Sequence, residues 1–311
     1  MKKTIALTLI ATFYLFACQQ SKESSTEGSE SVVSYEAISL LGDTLMASVP
    51  GEAVLERLAE KQKAYDENPD VENLIWLGRF IAYTGTYNNA IDFYSKGIEE
   101  YPEEARLYRH RGHRNISIRE FDKAIADFTK AAELREGLEN EVEPDGMPNA
   151  QNIPVSTLHG NIYYHLGLAH YLKGENEAAL AAYEKSLAAS RMDDNIVSNS
   201  HWLYMINRRL GNEEAAVAVL EAISKDMEII ENFAYHNLCL FYKGEITEAE
   251  LLDAADGALS ANDAINYGLG NWYLANGDTE RAQEIFEEIV SHDGWASFGY
   301  IAAEADLANA L

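Results

Sequence analysis

Cysteine, proline and positive charge are all scarce in this chain. Of its 311 residues only 2 are cysteine and 6 proline, and 24 lysines and arginines face 51 aspartates and glutamates. So little proline suits a helical chain, because proline breaks helix interiors. The acidic surplus, a net charge of -27, repels nucleic acid and anionic membrane surfaces and argues against both as general partners. Its plain role is to keep the protein soluble. No nucleophile elbow, phosphate-cradling loop or metalloprotease helix occurs, so no catalytic motif is present. The apolar run from Thr4 to Phe16 is too short to span a bilayer as a permanent helix. What is plentiful is apolar side chain, 47% of the total, which is enough for a sizeable core.

The N-terminal run follows Met1-Lys2-Lys3 and leads into Leu15-Phe16-Ala17-Cys18. This resembles a bacterial lipoprotein signal and its lipobox, with Phe16 where a small or aliphatic residue is usual. The resemblance implies a signal peptide over residues 1–17, with lipid (palmitate among the acyl chains) on Cys18 and anchoring in the cell envelope. Gln19 after the cysteine points to the outer membrane. An ordinary secretory signal with an incidental cysteine is the alternative. Residues 18–34, rich in serine and glutamate, read as a flexible tether. With Cys18 lipidated, Cys239 has no disulfide partner and reads as a small buried hydrophobe.

Residues 35–70 read as an N-terminal segment and a capping helix. The capping helix starts near Pro50 and ends at Asn68-Pro69. From Val71 the chain repeats itself. Gly78, Ala90, Tyr94 and Gly97 recur as Gly112, Ala124, Phe128 and Ala131, each time 34 residues on. This spacing of small and aromatic residues resembles the tetratricopeptide repeat. The resemblance implies an all-α, right-handed superhelical solenoid of helix-turn-helix repeats with capping helices. Repeats one and two span 71–138. Residues 139–159 hold Pro144, Pro148 and Pro154 and form an inserted loop, and loops of that length are usually functional or mobile. Repeats three to six span 160–296, two of them degenerate. Residues 297–311 make a C-terminal capping helix with a polar or small outer side. Asp193-Asp194-Asn195 reads as a helix-terminating turn rather than a calcium loop, which needs a glycine and a distal glutamate. Tyr108-Arg-His-Arg-Gly-His-Arg114 and Glu143-Pro-Asp-Gly-Met-Pro-Asn149 also resemble segments of a narrower group of bacterial tetratricopeptide proteins, a likeness that brings no activity with it.

In the family the first helix of each repeat lines a concave groove. On that frame the groove-facing candidates are Arg79 and Tyr83 from repeat one, then Arg106, Arg109 and His113 from repeat two. Asn161 and Tyr164 follow from repeat three, and His201, Arg208 and Arg209 from repeat four. Arginine forks bind carboxylates in pairs, so the resemblance extends to a clamp for an acidic or carboxylate-terminated peptide. The opposite reading is that these arginines pair with the chain's own acids. Glu139, Glu141, Glu143 and Asp145 on the inserted loop either fold back as a lid or belong to a turn outside the groove. Arg111 stands where the repeat usually has leucine and needs a buried acidic or carbonyl partner. His110 and His113 lack further ligands at a metal-binding spacing, so no metal or cofactor is expected.

Three functions remain open at this point. One is a lipid-anchored scaffold that binds a protein or peptide partner without enzymatic activity. The second is a small-ligand receptor or enzyme with its site in the Arg/His/Tyr groove under the loop. The third is a purely structural subunit of an envelope assembly.

Overall fold

The computed structural model describes residues 34–254 and 259–311. Cys18, the signal residues and the tether through residue 33 lie outside them. Two short antiparallel strands, β1 (Tyr35–Ile38) and β2 (Thr44–Met46), open the described chain where no clear period is legible, and α1 (Glu52–Glu67) follows. Helix hairpins come next: α2 (Val71–Tyr83) with α3 (Tyr87–Glu100), then α4 (Ala105–Ser117) with α5 (Phe121–Arg135). After the inserted loop come α6 (Leu158–Leu172) with α7 (Asn176–Ala188), and α8 (Asp193–Arg209) with α9 (Glu213–Ala218). The series ends with α10 (Phe233–Tyr242) and α11 (Glu248–Asp253), α12 (Leu259–Ala275) and α13 (Thr279–Ile289), and the single helix α14 (Phe298–Ala308). The architecture is an all-α solenoid.

Close approach explains the repeat. An added Cβ at Gly78 would lie 2.5 Å from the Tyr94 ring, and one at Gly112 would lie 3.0 Å from Phe128. Gly167 against Tyr183 and Gly270 against Phe286 repeat the contact at 2.6 and 2.5 Å. Each aromatic thus sits in the notch its own repeat leaves for it, and the alanines between (Ala90, Ala124, Ala179, Ala282) are fully buried. Arg111 does find its acid. Its guanidinium donates through Nε and a terminal nitrogen to the two Asp127 carboxylate oxygens at 3.0 and 2.6 Å.

The turns inside the hairpins share one backbone requirement. Gly85, Gly174, Gly211, Gly244 and Gly277 have φ between 73° and 87°, the left-handed region that costs an L-residue energy. The equivalent place in the second hairpin is taken by Arg119, at φ 67°. Its side chain accounts for the exception. It is buried against Glu304 of α14, with a nitrogen-to-oxygen distance of 2.5 Å, and also donates to the Trp295 carbonyl at 2.8 Å.

Two expectations need correcting. α14 does not present a polar outer side, because Tyr300 to Asp306 are all buried. The residues that look like its exposed face, Glu304 and Asp306, pair with Arg119 and Arg209 from two different repeats. Alanines at 302, 303 and 305 let the helix lie close against the first helices of the repeats, and Phe298 meets His113 and His165. Glu304 also accepts from the Leu40 amide at 2.6 Å, and Trp295 donates to the Met46 carbonyl at 2.9 Å, so the N-terminal hairpin and the C-terminal helix meet. The second correction concerns Asp193 and Asp194. They begin α8 rather than end a helix, and buried Asp194 accepts the amides of Ile230, Glu231 and Asn232.

Candidate functional site

Arg79 and Tyr83 are four residues apart on α2, and Arg109 and His113 are four apart on α4, so each pair shares a helix face. Adjacent packing of the two helices brings all four to one cavity of about 110 Å³, which Ala82, Tyr94, His110 and Arg114 complete. Arg79 stacks on Trp76, with its guanidinium 4.6 Å from the ring centre, and donates to the Pro144 carbonyl at 2.8 Å. Arg114 lies over the Tyr87 ring at 5.3 Å. Neither enters an ion pair among the described residues.

The inserted loop supplies the one carboxylate in contact. Its ends are tied by an isolated bridge between Val142 and Thr157 and by the Glu143 amide donating to Ser156 at 3.0 Å. Gly146 presses on the Tyr83 ring so closely that a Cβ there would overlap it. Glu143 is buried, with one oxygen 3.2 Å from Arg109 Nε and the other 3.3 Å from His110 Nε2. It also accepts from Asn161 Nδ2 at 2.7 Å. Both contacts are poorly directed: Arg109 Nε, and the Glu143 Oε1 that faces His110, are buried without a hydrogen-bond partner. Of the other acids on the loop, Glu141 pairs instead with Arg135, at 3.2 Å.

The charge balance is therefore lopsided. Three guanidiniums face one carboxylate in contact, and a second, Asp145, is close enough for Arg79 to act against the rise that burial causes in its pKa. Burial first, and then Arg109, Arg79 and Arg114, push the His110 pKa well below its usual value, so the imidazole adds no charge. Burial also lowers the Arg109 pKa, against the pull of Glu143. A small cavity with surplus arginine charge and a neutral imidazole favours an anion of carboxylate size.

The remaining candidates lie elsewhere. Arg106 is paired with Glu104 and Glu72 at 2.9 and 2.7 Å. Arg208 pairs with Glu213 at 3.0 Å and donates to the Tyr204 hydroxyl and the Ala275 carbonyl. Arg209 forks onto Asp306 at 2.8 and 2.6 Å and lies over Tyr171. His201 is in the interior, stacked on Tyr242 and edge-on to Trp202. Asn161 and Tyr164 border a second cavity beyond Glu143. Arg114 is off the groove-facing frame by one position, and its charge in an arginine-rich helix is the only signal in the sequence that points to it.

Two segments of the chain match family models. Residues 160–191 match one tetratricopeptide repeat model and residues 263–293 another. Among solved structures, the chain is similar to MamA at 21% identity, covering 61% of this chain and 90% of that one, with a TM-score of 0.41. It is similar to YrrB, described as a tetratricopeptide protein with an unusual peptide-binding site, at 17% identity over 74% of this chain and 90% of that one, with a TM-score of 0.41. A tetratricopeptide repeat protein from Parabacteroides merdae matches at 13% identity over 80% and 92%, with a TM-score of 0.46.

Proposed function

We propose that this tetratricopeptide-repeat protein is a cell-envelope scaffold that docks a protein or peptide partner through a carboxylate, held by Arg79, Arg109 and Arg114 beside Tyr83. The observation that carries this reading is the excess of guanidinium over carboxylate in the small cavity between α2 and α4. Glu143 then acts as a resident stand-in. It occupies Arg109 with imperfect hydrogen bonding, and a better-aimed carboxylate from a partner displaces it and the loop that carries it. The rest of the groove arginines hold the solenoid together, since Arg106, Arg208 and Arg209 already have acids of their own.

Arg79 and Arg114 make the clean test because neither is in an ion pair among the described residues. The Arg79→Ala, Arg114→Ala double variant should fold with stability within about 1 kcal/mol of the parent, as for most surface changes. Crosslinking in the native envelope, with a photoreactive group in place of Tyr83, should capture a partner with the parent protein. The double variant should lose that capture. Equal recovery of the same partner by both would remove the arginine cavity from the docking surface.

The envelope location rests on Met1-Lys-Lys, the apolar run and Leu15-Phe16-Ala17-Cys18. A Cys18→Ser variant is expected to leave the membrane fraction and appear soluble. If it stayed with the membrane after a carbonate wash, the lipid anchor would be ruled out.

A further inference from the structure

Six of the fifteen large apolar side chains exposed among the described residues fall within one short stretch, residues 35–49. Tyr35, Ile38, Leu40, Leu41, Met46 and Val49 are each between 39% and 67% exposed. Single exposed apolar residues are ordinary, but a contiguous group of them marks a contact surface. The register of the β1–β2 hairpin makes this group contiguous. Tyr35 faces Met46 and Ile38 faces Thr44 across the strands, and all four are exposed, while the alternate pair, Ala37 and Leu45, is buried. Tyr35, Ile38 and Met46 therefore share the outer face, with Leu40 and Leu41 in the turn at its end.

The fold holds this face out on a fixed support. The Leu40 amide donates to Glu304 and the Met46 carbonyl accepts from Trp295, so the hairpin backbone is fastened to the C-terminal end of the chain. The face is also nearly free of charge. Glu36 and Asp43 are the only charged residues from 34 to 51, in a chain that is 24% charged. Glu36 is buried, and its carboxylate accepts from the Ser34 hydroxyl and from the backbone and side-chain amides of Asn88. Asp43 is left as the one exposed ionised group of the hairpin. A chain this acidic is repelled by an anionic surface over most of its exterior, and at this hairpin the repulsion is least.

The place of the hairpin in the chain identifies what covers it. Ser34 is 16 residues past Cys18, so a lipid on that cysteine keeps the hairpin within about 55 Å of the bilayer even along a fully extended chain. Held that close, the hairpin meets lipid at a far higher effective concentration than any untethered partner. We propose that the outer face of this hairpin lies in the bilayer interface as a second membrane contact, with Tyr35 at headgroup level and Ile38, Leu40, Leu41 and Met46 reaching the acyl boundary. This builds on the lipid anchor proposed above and is independent of the arginine cavity. The depth is limited, because the outer edges of a two-stranded sheet carry unpaired amides and carbonyls that the hydrocarbon core would leave without water. A lipid alone fixes one point and lets the body swing. A second contact sets which way the solenoid faces.

Quenching by spin-labelled lipid tests it on the full lipid-bearing chain in vesicles of phosphatidylcholine and phosphatidylethanolamine. Met46→Cys carries an environment-sensitive NBD label, and Cys239, fully buried, stays unlabelled. Val217→Cys, at an exposed position on α9 beside Glu213 and Glu214, is the control. The label at position 46 should shift to the blue on vesicles and be quenched by shallow spin-labelled lipid at least about twofold more than the control. Ile38→Asp combined with Leu41→Asp changes two exposed side chains. That variant should keep the parent circular dichroism, still float with the vesicles, and bring quenching at position 46 down to the control level. A chain that floats yet shows no excess quenching at position 46 would overturn the proposal and leave the lipid anchor standing. So would a blue shift that follows protein concentration in detergent without lipid quenching, the mark of a second copy on this face. A chain that does not float would remove the anchor and this contact with it.

Discussion

Replacing Glu304 with alanine is expected to cost roughly 3–5 kcal/mol of folding stability, the range for stripping one partner from a buried ion pair. The Arg119 and Glu304 side chains are 3% and 0% exposed, so the guanidinium left behind could not be rehydrated without moving α14. The carboxylate also accepts the Leu40 amide at 2.6 Å, and that donor would be stranded as well. Three parts of the chain meet at this one side chain: the N-terminal hairpin, the turn of the second repeat and the C-terminal helix. Urea unfolding of the single variant should show the full loss. Arg119→Gly alone should also destabilise, although glycine relieves the backbone at φ 67°, because it leaves Glu304 buried and unpaired. The double variant Arg119→Gly, Glu304→Leu removes both charges and eases the turn, so it should regain most of what either single change loses. A Glu304→Ala protein within about 1 kcal/mol of the parent would show that water reaches this pair and that α14 is not locked by it.

That triple junction marks the border of what the sequence conveys. Small-and-aromatic spacing is legible because it records contacts inside one hairpin, as between Gly78 and Tyr94 or Gly112 and Phe128. Arg111 was legible for the same reason: a charge at a packing position requires a partner, and Asp127 is on the other helix of its own hairpin. The weak units were legible as weak, and their second helices, Glu213–Ala218 and Glu248–Asp253, are short. Pairings between distant repeats leave no such periodic trace. Nothing in the order of residues says that Glu304 meets Arg119 or that Asp306 meets Arg209, since any of 51 acids could serve. The one hint was Arg119 itself, sitting where the other turns have glycine. The candidate site divides along the same line. Arg79, Tyr83, Arg109 and His113 do line one cavity because they come from adjacent first helices. Two hairpins further on, Arg208 is held by Glu213 of its own hairpin and the Ala275 carbonyl, and Arg209 by Asp306 of α14.

Acidification should weaken the fold well before the carboxylates titrate. His165 and His201 are 6% and 1% exposed. The His165 ring is enclosed by Phe128, Tyr164 and Phe298, and that of His201 by Trp202, Tyr235 and Tyr242. Burial, joined at His165 by the charge of Arg109, pushes both pKa values down to about 3 from 6.5. Below pH 6.5 the unfolded chain therefore takes up protons that the folded chain refuses. The stability these neutral rings contribute is fully present above that pH and declines as the pH falls toward 3. Each group then approaches a cost of about 1.4 kcal/mol per pH unit, so the pair removes roughly 3 kcal/mol between pH 6.5 and pH 5. Calorimetric unfolding at pH 5.5, in buffers of different ionisation enthalpy, should register about two protons taken up through these groups, in addition to any bound by other histidines. His201→Phe keeps the ring stacking and removes one titrating site, so its uptake should fall by about one proton while its melting temperature varies less steeply with pH. A melting temperature flat from pH 7 to pH 5, or an uptake unchanged in His201→Phe, would mean that these imidazoles are already open to water. In that case the aromatic wall from His201 to Phe298 could not be a dry seam between the repeats and the C-terminal helix.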